Sequence, residues 1–391
     1  MHYDPFMLQV VAAILVILAV ALAMRVLRQP HVIGYLLAGI LLGPHGLAFV
    51  TDQVSLARLG EIGVVLLLFF IGMETSPRKL LDNWRITVLG TSVQIAGSIF
   101  LIGLIGLWLD WPWPRVVLVG FVISISSTAV VLNYLRATGQ MRSKIGQDAL
   151  GILLAQDLAI IPMLLIIGYL GGQAQTDAQS FALQGLGVVL VSALVIWMLT
   201  AKRVRLPLSP RIRQDHELQV FLAFGLCLGF SLLTGLMHLS TALGAFVAGM
   251  LIGVARETNW VHYRLEPFRI VFVAVFFVSI GMLVDVGFVM NNAVLIGGLV
   301  LAVFFGNTVI NATIFRLLGD PWRYAVFAGA HLAQIGEFSF VLAAAGYEVD
   351  LISDYTLRLA VAIIALSLLL SPAWISIVRR LQRRIQLPET R

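Results

Sequence analysis

Apolar stretches of about 20 residues, the length that a helix needs to cross a bilayer, follow one another along the whole chain. Short polar connections separate them. Several contain Gly or Pro at mid-depth, which membrane helices tolerate where the backbone is buried in protein or lines a cavity. The pattern predicts an all-α polytopic membrane protein with 13 transmembrane helices. The predicted segments are 6–24, 31–50, 56–73, 86–109, 115–136, 145–170, 180–201, 217–236, 240–255, 267–284, 288–318, 322–346 and 355–379.

Composition and charge support this class and indicate an orientation. The chain is 60% hydrophobic and 12% charged, against about 25% charged residues in soluble domains. If each segment crosses the membrane, consecutive connections lie on opposite sides. All 26 lysines and arginines except Arg58, Arg115 and Arg358 then lie at segment ends on the same side. Cytoplasmic loops carry such an excess, so we predict an outside N-terminus and a cytoplasmic C-terminus. Topology then accounts for the net charge of +6, and nucleic-acid binding is not needed.

Two motifs recur with an offset of 209–210 residues. LLAGILLG at 36–43 matches FVAGMLIG at 246–253, and FFIGM at 69–73 matches FFVSIGM at 276–282. Seven segments, an odd number, separate the copies, so the two copies have opposite orientations in the membrane. Inverted repeats of this kind are typical of secondary transporters, whose binding site lies near the midplane. Three further pairs align in the same register: Ser127 with Glu337, Asp157 with Ser367, and Pro162 with Pro372.

We therefore predict a single transmembrane transport domain over residues 1–391, without a cytosolic regulatory domain. Its two inverted six-helix repeats extend over about 6–170 and 217–379, and residues 180–201 form a linker helix. The fifth and twelfth segments carry polar residues at corresponding mid-depth positions, so we expect both helices to be interrupted and to cross. These residues are Ser124, Ser126, Ser127 and Thr128 in the fifth segment, and Gln334, Gly336, Glu337 and Ser339 in the twelfth.

Asp157 lies in the middle of segment 145–170. An ionisable group at that depth costs roughly 2.5–3.5 kcal/mol and usually marks a functional site. Because burial disfavours the charged form of a carboxyl group, a bound cation can replace the proton as its compensating charge. Competition between proton and cation for Asp157, with access alternating between sides, gives exchange. Gln156 would contribute a neutral oxygen. The alternative interpretation of Asp157 is a carboxyl group with a purely structural role.

The polar residues of the crossing have two interpretations. Unwound segments expose carbonyl groups that coordinate cations, so Ser127 and Thr128 are predicted cation ligands, and Ser126 and Gln334 are predicted to support the crossing. Alternatively, the hydroxyls bond back to their own helix or join neighbouring helices. Glu337 is either a second acid of the site or a carboxylate that offsets the positive N-terminus of a half-helix. The favoured interpretation of Glu337 is this helix-terminal role.

Six motifs along the chain form a recognisable set: IGYLLAGILLGP at 33–44, GEIGVVLLLFFIGME at 60–74, SISSTAVV at 124–131, LLAQDLAIIP at 153–162, FFVSIGM at 276–282 and QIGEFSFVLA at 334–343. By these motifs the chain resembles the monovalent cation:proton antiporter superfamily and, within it, the Kef-type potassium/proton antiporters. The resemblance implies an NhaA-like antiporter fold with a dimerisation unit, a mobile core unit and crossed interrupted helices around the acid of the sixth span. It also implies that Asp157 binds cation and proton, that Gln156 assists, and that a homodimer forms in a bacterial inner membrane.

Two features depart from that family pattern. Kef-type proteins usually continue into a cytosolic nucleotide-binding domain, whereas this sequence stops at Arg391. A truncated form, a separate regulatory subunit and an unregulated protein are all open. Many relatives carry a lysine near the core of the eleventh span, and the position that looks equivalent here is Asn307. Charge compensation by a lysine is therefore not expected.

The predicted function is an exchange of a monovalent cation for H⁺, with K⁺ favoured over Na⁺ and no cofactor beyond the transported ions. With Asp157 as the one titrating core acid, we expect one cation per proton and electroneutral transport. One alternative is a ligand-gated, channel-like potassium efflux pathway without obligatory proton coupling. An intramembrane enzyme is the other alternative, and no catalytic pair is evident in the sequence to support it.

Overall fold

Helices account for most of the part of the chain that the computed structural model describes. The described residues are 5–27, 31–49, 53–74, 85–137, 139, 143–172, 178–200, 215–254 and 259–384. Part of the orientation prediction depends on basic residues outside these ranges, at 28–30, 75–84, 140–142, 201–214, 255–258 and 385–391.

Sixteen α-helices and no strand form within the described residues. A π-helical turn, Arg85–Leu89, leads directly into the fourth helix. The helices are α1 Pro5–Val26, α2 His31–Leu42, α3 Gln53–Glu74, α4 Gly90–Trp108, α5 Trp113–Ser124, α6 Thr128–Ala137, α7 Lys144–Gly172, α8 Ala178–Thr200, α9 His216–Leu236, α10 Thr241–Val254, α11 Asn259–Leu283, α12 Val286–Asn291, α13 Ala293–Leu317, α14 Trp322–His331, α15 Phe338–Glu348 and α16 Asp354–Arg384.

Each predicted segment coincides with one helix or with two consecutive helices, and the boundaries differ in instructive places. The second segment was predicted to reach residue 50, but α2 ends at Leu42, before Gly43 and Pro44; proline cannot donate to a helical hydrogen bond. The segment predicted at 288–318 divides at Asn292 into two helices.

Apolar helices of membrane-spanning length identify an integral membrane protein. Among the described residues, 6 helices are long and apolar enough to cross a bilayer, and six further helices contain apolar stretches of 10–17 residues. Their mean hydropathy, 1.9 to 2.3 in the six long spans, matches segments that partition into hydrocarbon.

The chain divides into two compact units, each built from two separate stretches of sequence. The first unit comprises Met1–Lys79 and Ile161–Val284, and the second comprises Leu80–Ile160 and Asp285–Arg391. Helix α7 contributes its first part to the second unit and its last part to the first.

Glycine allows two helix pairs of the first unit to pack backbone against backbone. Helix α2 packs on α11, and a Cβ added to Gly39 would lie 2.8 Å from the Cα of Gly281. Helix α3 packs on α10, and a Cβ added to Gly72 would lie 3.1 Å from the Cα of Gly249. Small residues are what permits such close approach between membrane helices.

Broken helices characterise the second unit. Its two interrupted helices, α5–α6 and α14–α15, pack beside α13, and Phe304 of α13 stacks on Trp374 of α16 with ring centroids 5.2 Å apart. Pro372 lies inside α16, and the Ser371 hydroxyl donates to the carbonyl oxygen of Leu368 at 2.9 Å. Pro162 lies at the corresponding place inside α7, in the part of that helix that belongs to the first unit.

Candidate functional site

The fifth and twelfth predicted segments are both interrupted, and their unwound backbones are in contact. Helix α5 ends at Ser124 and α6 begins at Thr128, while α14 ends at His331 and α15 begins at Phe338. The Gly336 N–H donates to the carbonyl oxygen of Ile125 at 2.7 Å. A Cβ on Gly336 would lie 2.6 Å from the Ser126 carbonyl oxygen, so only glycine fits this close approach.

Hydroxyl groups of each broken helix bind carbonyl groups of the other. Ser126 Oγ donates to the Leu332 carbonyl oxygen at 2.8 Å, and Ser339 Oγ donates to the Val122 carbonyl oxygen at 2.6 Å. Ser124 differs, since its hydroxyl donates within its own helix. Interruption of a helix frees carbonyl groups that must find other donors, and these two serines supply them.

Asn307 of α13 joins the two interrupted helices beneath the crossing. Its side chain is buried, and Nδ2 donates to the carbonyl oxygens of Ile123 at 2.8 Å and Ala333 at 3.1 Å. These two carbonyls stand at corresponding positions of the sequence repeat. A neutral amide therefore connects both broken helices at the position that looks equivalent to the lysine of many relatives. The sequence shows only a polar residue in an apolar segment and does not reveal this role.

Gln156 is oriented toward the first unwound segment by hydrogen bonds at both ends of its amide. Its Oε1 accepts from the Ser126 N–H at 2.9 Å, and its Nε2 donates to Gln94 Oε1 at 2.6 Å. Both glutamines are fully buried. Gln94, on α4, is absent from the predicted site residues. An amide side chain in the apolar segment 86–109 is a signal that could have identified it.

Asp157 follows directly and lies beside Thr128. The Thr128 hydroxyl is 3.4 Å from each carboxylate oxygen, and the residue Asp157 is only 7% exposed. Because Thr128 is the first residue of α6, the carboxylate lies at a helix N-terminus, whose partial positive charge favours an anion. The structure thus brings together Asp157, Gln156, Ser126 and Thr128.

Glu337 is attached to the crossing through Ser127. The Ser127 hydroxyl donates to Glu337 Oε2 at 2.8 Å, and Glu337 immediately precedes α15. This position agrees with a carboxylate that offsets a helix N-terminus. Ser367, which corresponds to Asp157 in the repeat, accepts the Ile335 N–H at 3.2 Å. The second unwound segment is therefore held by a hydroxyl group where the first faces a carboxylate.

Gln334 contributes less than the sequence suggested. It is fully buried, yet among the described residues neither its side-chain nitrogen nor its side-chain oxygen has a hydrogen-bond partner. It lies in the unwound segment but does not brace it through its amide.

A second group of charges lies at the start of α7. Lys144 Nζ is 2.6 Å from Asp320 Oδ1, and this hydrogen bond raises the pKa of Lys144. Asp148, one turn along α7, is buried and was not among the predicted site residues. The described residues contain no group of three or more His, Cys, Asp or Glu side chains that could hold a metal ion.

Comparison with known proteins places the chain in a family. The family described as "Sodium/hydrogen exchanger, transmembrane" matches residues 10–380. The iron transporter MagA of Paramagnetospirillum magneticum is 36% identical over 383 residues, covering 98% of this chain and 88% of MagA. The glutathione-regulated potassium-efflux system protein KefC of Salmonella typhi is 32% identical over 379 residues. That match covers 95% of this chain, which spans 59% of the length of KefC.

A solved structure supports the fold. The sodium proton antiporter MjNhaP1 from Methanocaldococcus jannaschii, determined at pH 8, superposes with a TM-score of 0.65 at 15% identity. The superposition covers 96% of this chain and 98% of that antiporter. At this identity the likeness concerns the fold alone, and it agrees with the resemblance found in the motifs. The chain belongs to the sodium/hydrogen exchanger family, a family of membrane transporters.

Proposed function

We propose that the protein is a secondary active transporter that exchanges a monovalent cation for H⁺, with both ions competing for Asp157. The observation that carries the proposal is the placement of this buried carboxylate beside the Thr128 hydroxyl at the interruption of the fifth segment. Buried acids in membrane proteins usually mark ion pathways, and unwound helices at mid-depth usually mark transport sites.

The exchange follows from the protonation of one carboxyl group. Ionised Asp157 binds the cation, with the hydroxyls of Thr128 and Ser127 and the oxygen of Gln156 as neutral ligands. The Gln156 oxygen already accepts from Ser126, and an amide oxygen has a second lone pair for a cation. Protonation neutralises Asp157 and releases the cation. Gln156 is neutral, and Glu337 accepts from Ser127 and has the proposed helix-terminal role. With Asp157 as the one titrating acid, we expect one cation per proton and electroneutral exchange.

We favour K⁺ as the cation, and Na⁺ is the second choice. KefC, named as a potassium-efflux protein, matches nearly the whole chain. MagA is named as an iron transporter, which makes Fe²⁺ a necessary comparison. One carboxylate with hydroxyl and amide oxygens is a donor set for hard cations, whereas iron sites in proteins commonly include imidazole. The donors around Asp157 therefore favour an alkali cation.

We further propose 13 membrane spans arranged as two inverted repeats, N-terminus outside and C-terminus inside, in a bacterial inner membrane. The interruptions at 125–127 and 332–337 support the repeats, as do the prolines inside α7 and α16. The contact of Gly39 with Gly281 also repeats that of Gly249 with Gly72 at the sequence offset.

On the same basis we propose a homodimer, with the first unit as the dimerisation unit and the second as the mobile core unit that carries Asp157.

The deciding experiment compares wild type with Asp157→Asn in proteoliposomes that contain a pH-sensitive dye. Li⁺, Na⁺, K⁺, Rb⁺ and, without oxygen, Fe²⁺ are offered in turn. We expect K⁺-dependent proton flux in the wild type and none in Asp157→Asn, which still inserts and folds. Asp354→Asn, an exposed acid paired with Arg358, is the matched control and retains exchange.

Three results would contradict parts of the proposal. Normal pH-dependent transport by Asp157→Asn removes the role of this residue. K⁺ flux that persists at full size without proton counterflow selects the channel-like alternative. Exchange that responds to an imposed membrane voltage excludes the electroneutral stoichiometry.

A further inference from the structure

Gln94 of α4 lies at the centre of the hydrogen-bond network beside the crossing. It is fully buried, and it is part of a row of buried polar residues along one face of the helix that also includes Thr87, Thr91 and Ser98. The Gln94 Nε2 donates to the Ser124 carbonyl oxygen at 3.0 Å, while its Oε1 accepts from Gln156 Nε2 at 2.6 Å. Both ends of its amide are thus engaged.

Two backbone groups determine how both amides are oriented. The Ser126 N–H can only donate, so the Gln156 atom that faces it must be the oxygen. The Gln156 nitrogen therefore faces Gln94, which must present its own oxygen. The remaining nitrogen of Gln94 then meets the Ser124 carbonyl, which can only accept. The network is consistent in this one arrangement alone.

The same network fixes the distance between the two sides of the candidate site. Ser124 ends α5 and Ser126 lies in the unwound segment, so the glutamine pair holds this segment on both sides of Ile125. Thr128 follows two residues after Ser126, and Asp157 follows directly after Gln156. A change in the Gln94–Gln156 contact therefore changes how Thr128 and Asp157 face each other.

We propose that Gln94 is a positioning residue for ion exchange, acting through Gln156 to hold Thr128 beside the Asp157 carboxylate. This inference rests on the proposed exchange at Asp157. Gln94 itself touches no transported ion. It sets the apparent affinity for the cation because it determines the geometry of the groups that bind it.

Gln94→Leu is the first test, with K⁺ as the probe in the proteoliposome assay. It removes the Gln94 bonds to the Ser124 carbonyl oxygen and to Gln156 Nε2, which keep only their longer contact with each other, at 3.3 Å. We expect the KM for K⁺ to rise about tenfold, the effect of losing one buried hydrogen bond, while the maximal rate per folded transporter stays near that of wild type. Ser98→Ala is the matched control on the same helix face, because the Ser98 hydroxyl has no partner among the described residues.

Gln94→Glu provides the second test through its pH profile. A protonated carboxyl group can accept from Gln156 and donate to Ser124, whereas the ionised group cannot donate. We expect the ratio of its KM to that of wild type to be near one at low pH and to rise with pH. The same ratio for Gln94→Leu should be independent of pH. If Gln94→Leu does not fold, Gln94→Glu still tests whether Gln94 positions the site.

The results separate this inference from the proposed function. An unchanged KM in Gln94→Leu, or a loss confined to the amount of folded protein, overturns the positioning role while wild type and Asp157→Asn still report on exchange. A pH-independent KM ratio in Gln94→Glu also overturns it. Failure of the proposed function is recognised separately, by wild type without proton-coupled flux or by unimpaired Asp157→Asn.

Discussion

In the first unit, continuous helices contact each other through glycine, as Gly72 does at Gly249 and Gly39 does at Gly281. In the second unit, two helices are interrupted, and side chains such as Ser126 and Asn307 bind the freed backbone groups. A continuous helix satisfies its own backbone, so close packing requires only the absence of side-chain atoms. An interrupted helix leaves buried polar groups, each costing about 1–3 kcal/mol if unpaired. The first unit should therefore be destabilised when an atom is added between its helices, and the second when a polar side-chain atom is removed.

A large effect is expected from Gly249→Ala in the first unit. The added methyl group would lie 2.9 Å from the Phe69 carbonyl carbon, so α3 and α10 must separate. We expect a loss of about 3 kcal/mol in the free energy of unfolding, measured by thermal unfolding in detergent. Gly225→Ala is the matched control, since an added Cβ there meets nothing within 4 Å; it should be neutral or stabilising. Equal effects of both substitutions would remove the contrast on the side of the first unit.

Asn307→Leu tests the second unit by removing its brace. The carbonyl groups of Ile123 and Ala333 lose their donor, so we expect the free energy of unfolding to fall by about 2–4 kcal/mol. We also expect cation exchange to be lost. Thr313→Val on the same helix is the control, because the exposed Thr313 hydroxyl donates to the carbonyl oxygen of Val309 in its own helix. Unfolding temperature and proton flux are measured on both variants. Stability and flux that match the control would show that these carbonyl groups find other donors.

A smaller effect is expected from Glu337→Gln. The amide can keep the hydrogen bond with Ser127, but it loses the charge at the start of α15. We expect stability to fall by about 0.3–1 kcal/mol, while exchange in the proteoliposome assay stays within about threefold of wild type, the factor that corresponds to less than 1 kcal/mol. Loss of exchange as complete as that in Asp157→Asn would instead make Glu337 a second transport acid.

The smallest effect is expected from Lys144→Met, at the edge of the second unit. Lys144 is 62% exposed, and exposed ion pairs contribute about 0–1 kcal/mol. Its hydrogen bond to Asp320 raises the pKa of Lys144, so the contribution is fully present below the unfolded-state pKa of about 10.4 and is lost as pH rises through the folded-state pKa. Unfolding from pH 7 to 11 should show a constant difference from wild type that disappears only at the alkaline end. A decline already near neutral pH would contradict this assignment.

The sequence predicted what depends on local signals. Segment length and apolar content placed the helices, and serines, threonine and Gly336 indicated where two of them unwind. Contacts between distant residues were not predictable in this way. Nothing in the periodicity of α13 shows that Asn307 reaches carbonyl groups 184 and 26 residues away, or that Gln94 meets Gln156 across 62 residues. Gln334 shows the opposite error, since a polar residue at the right place makes no side-chain hydrogen bond there.

The proline inside α7 also affects the surroundings of Asp157. Proline cannot donate to the carbonyl group four residues earlier, so Pro162 leaves the Leu158 carbonyl without its helical donor. In α16 the Ser371 hydroxyl compensates for the equivalent loss at Leu368, but the residue that precedes Pro162 is Ile161, which has no hydroxyl. The carbonyl group directly after Asp157 therefore receives no hydrogen bond from residue 162. Its partial negative charge does not titrate, so it stays in place whether or not the proposed transport acid carries a proton.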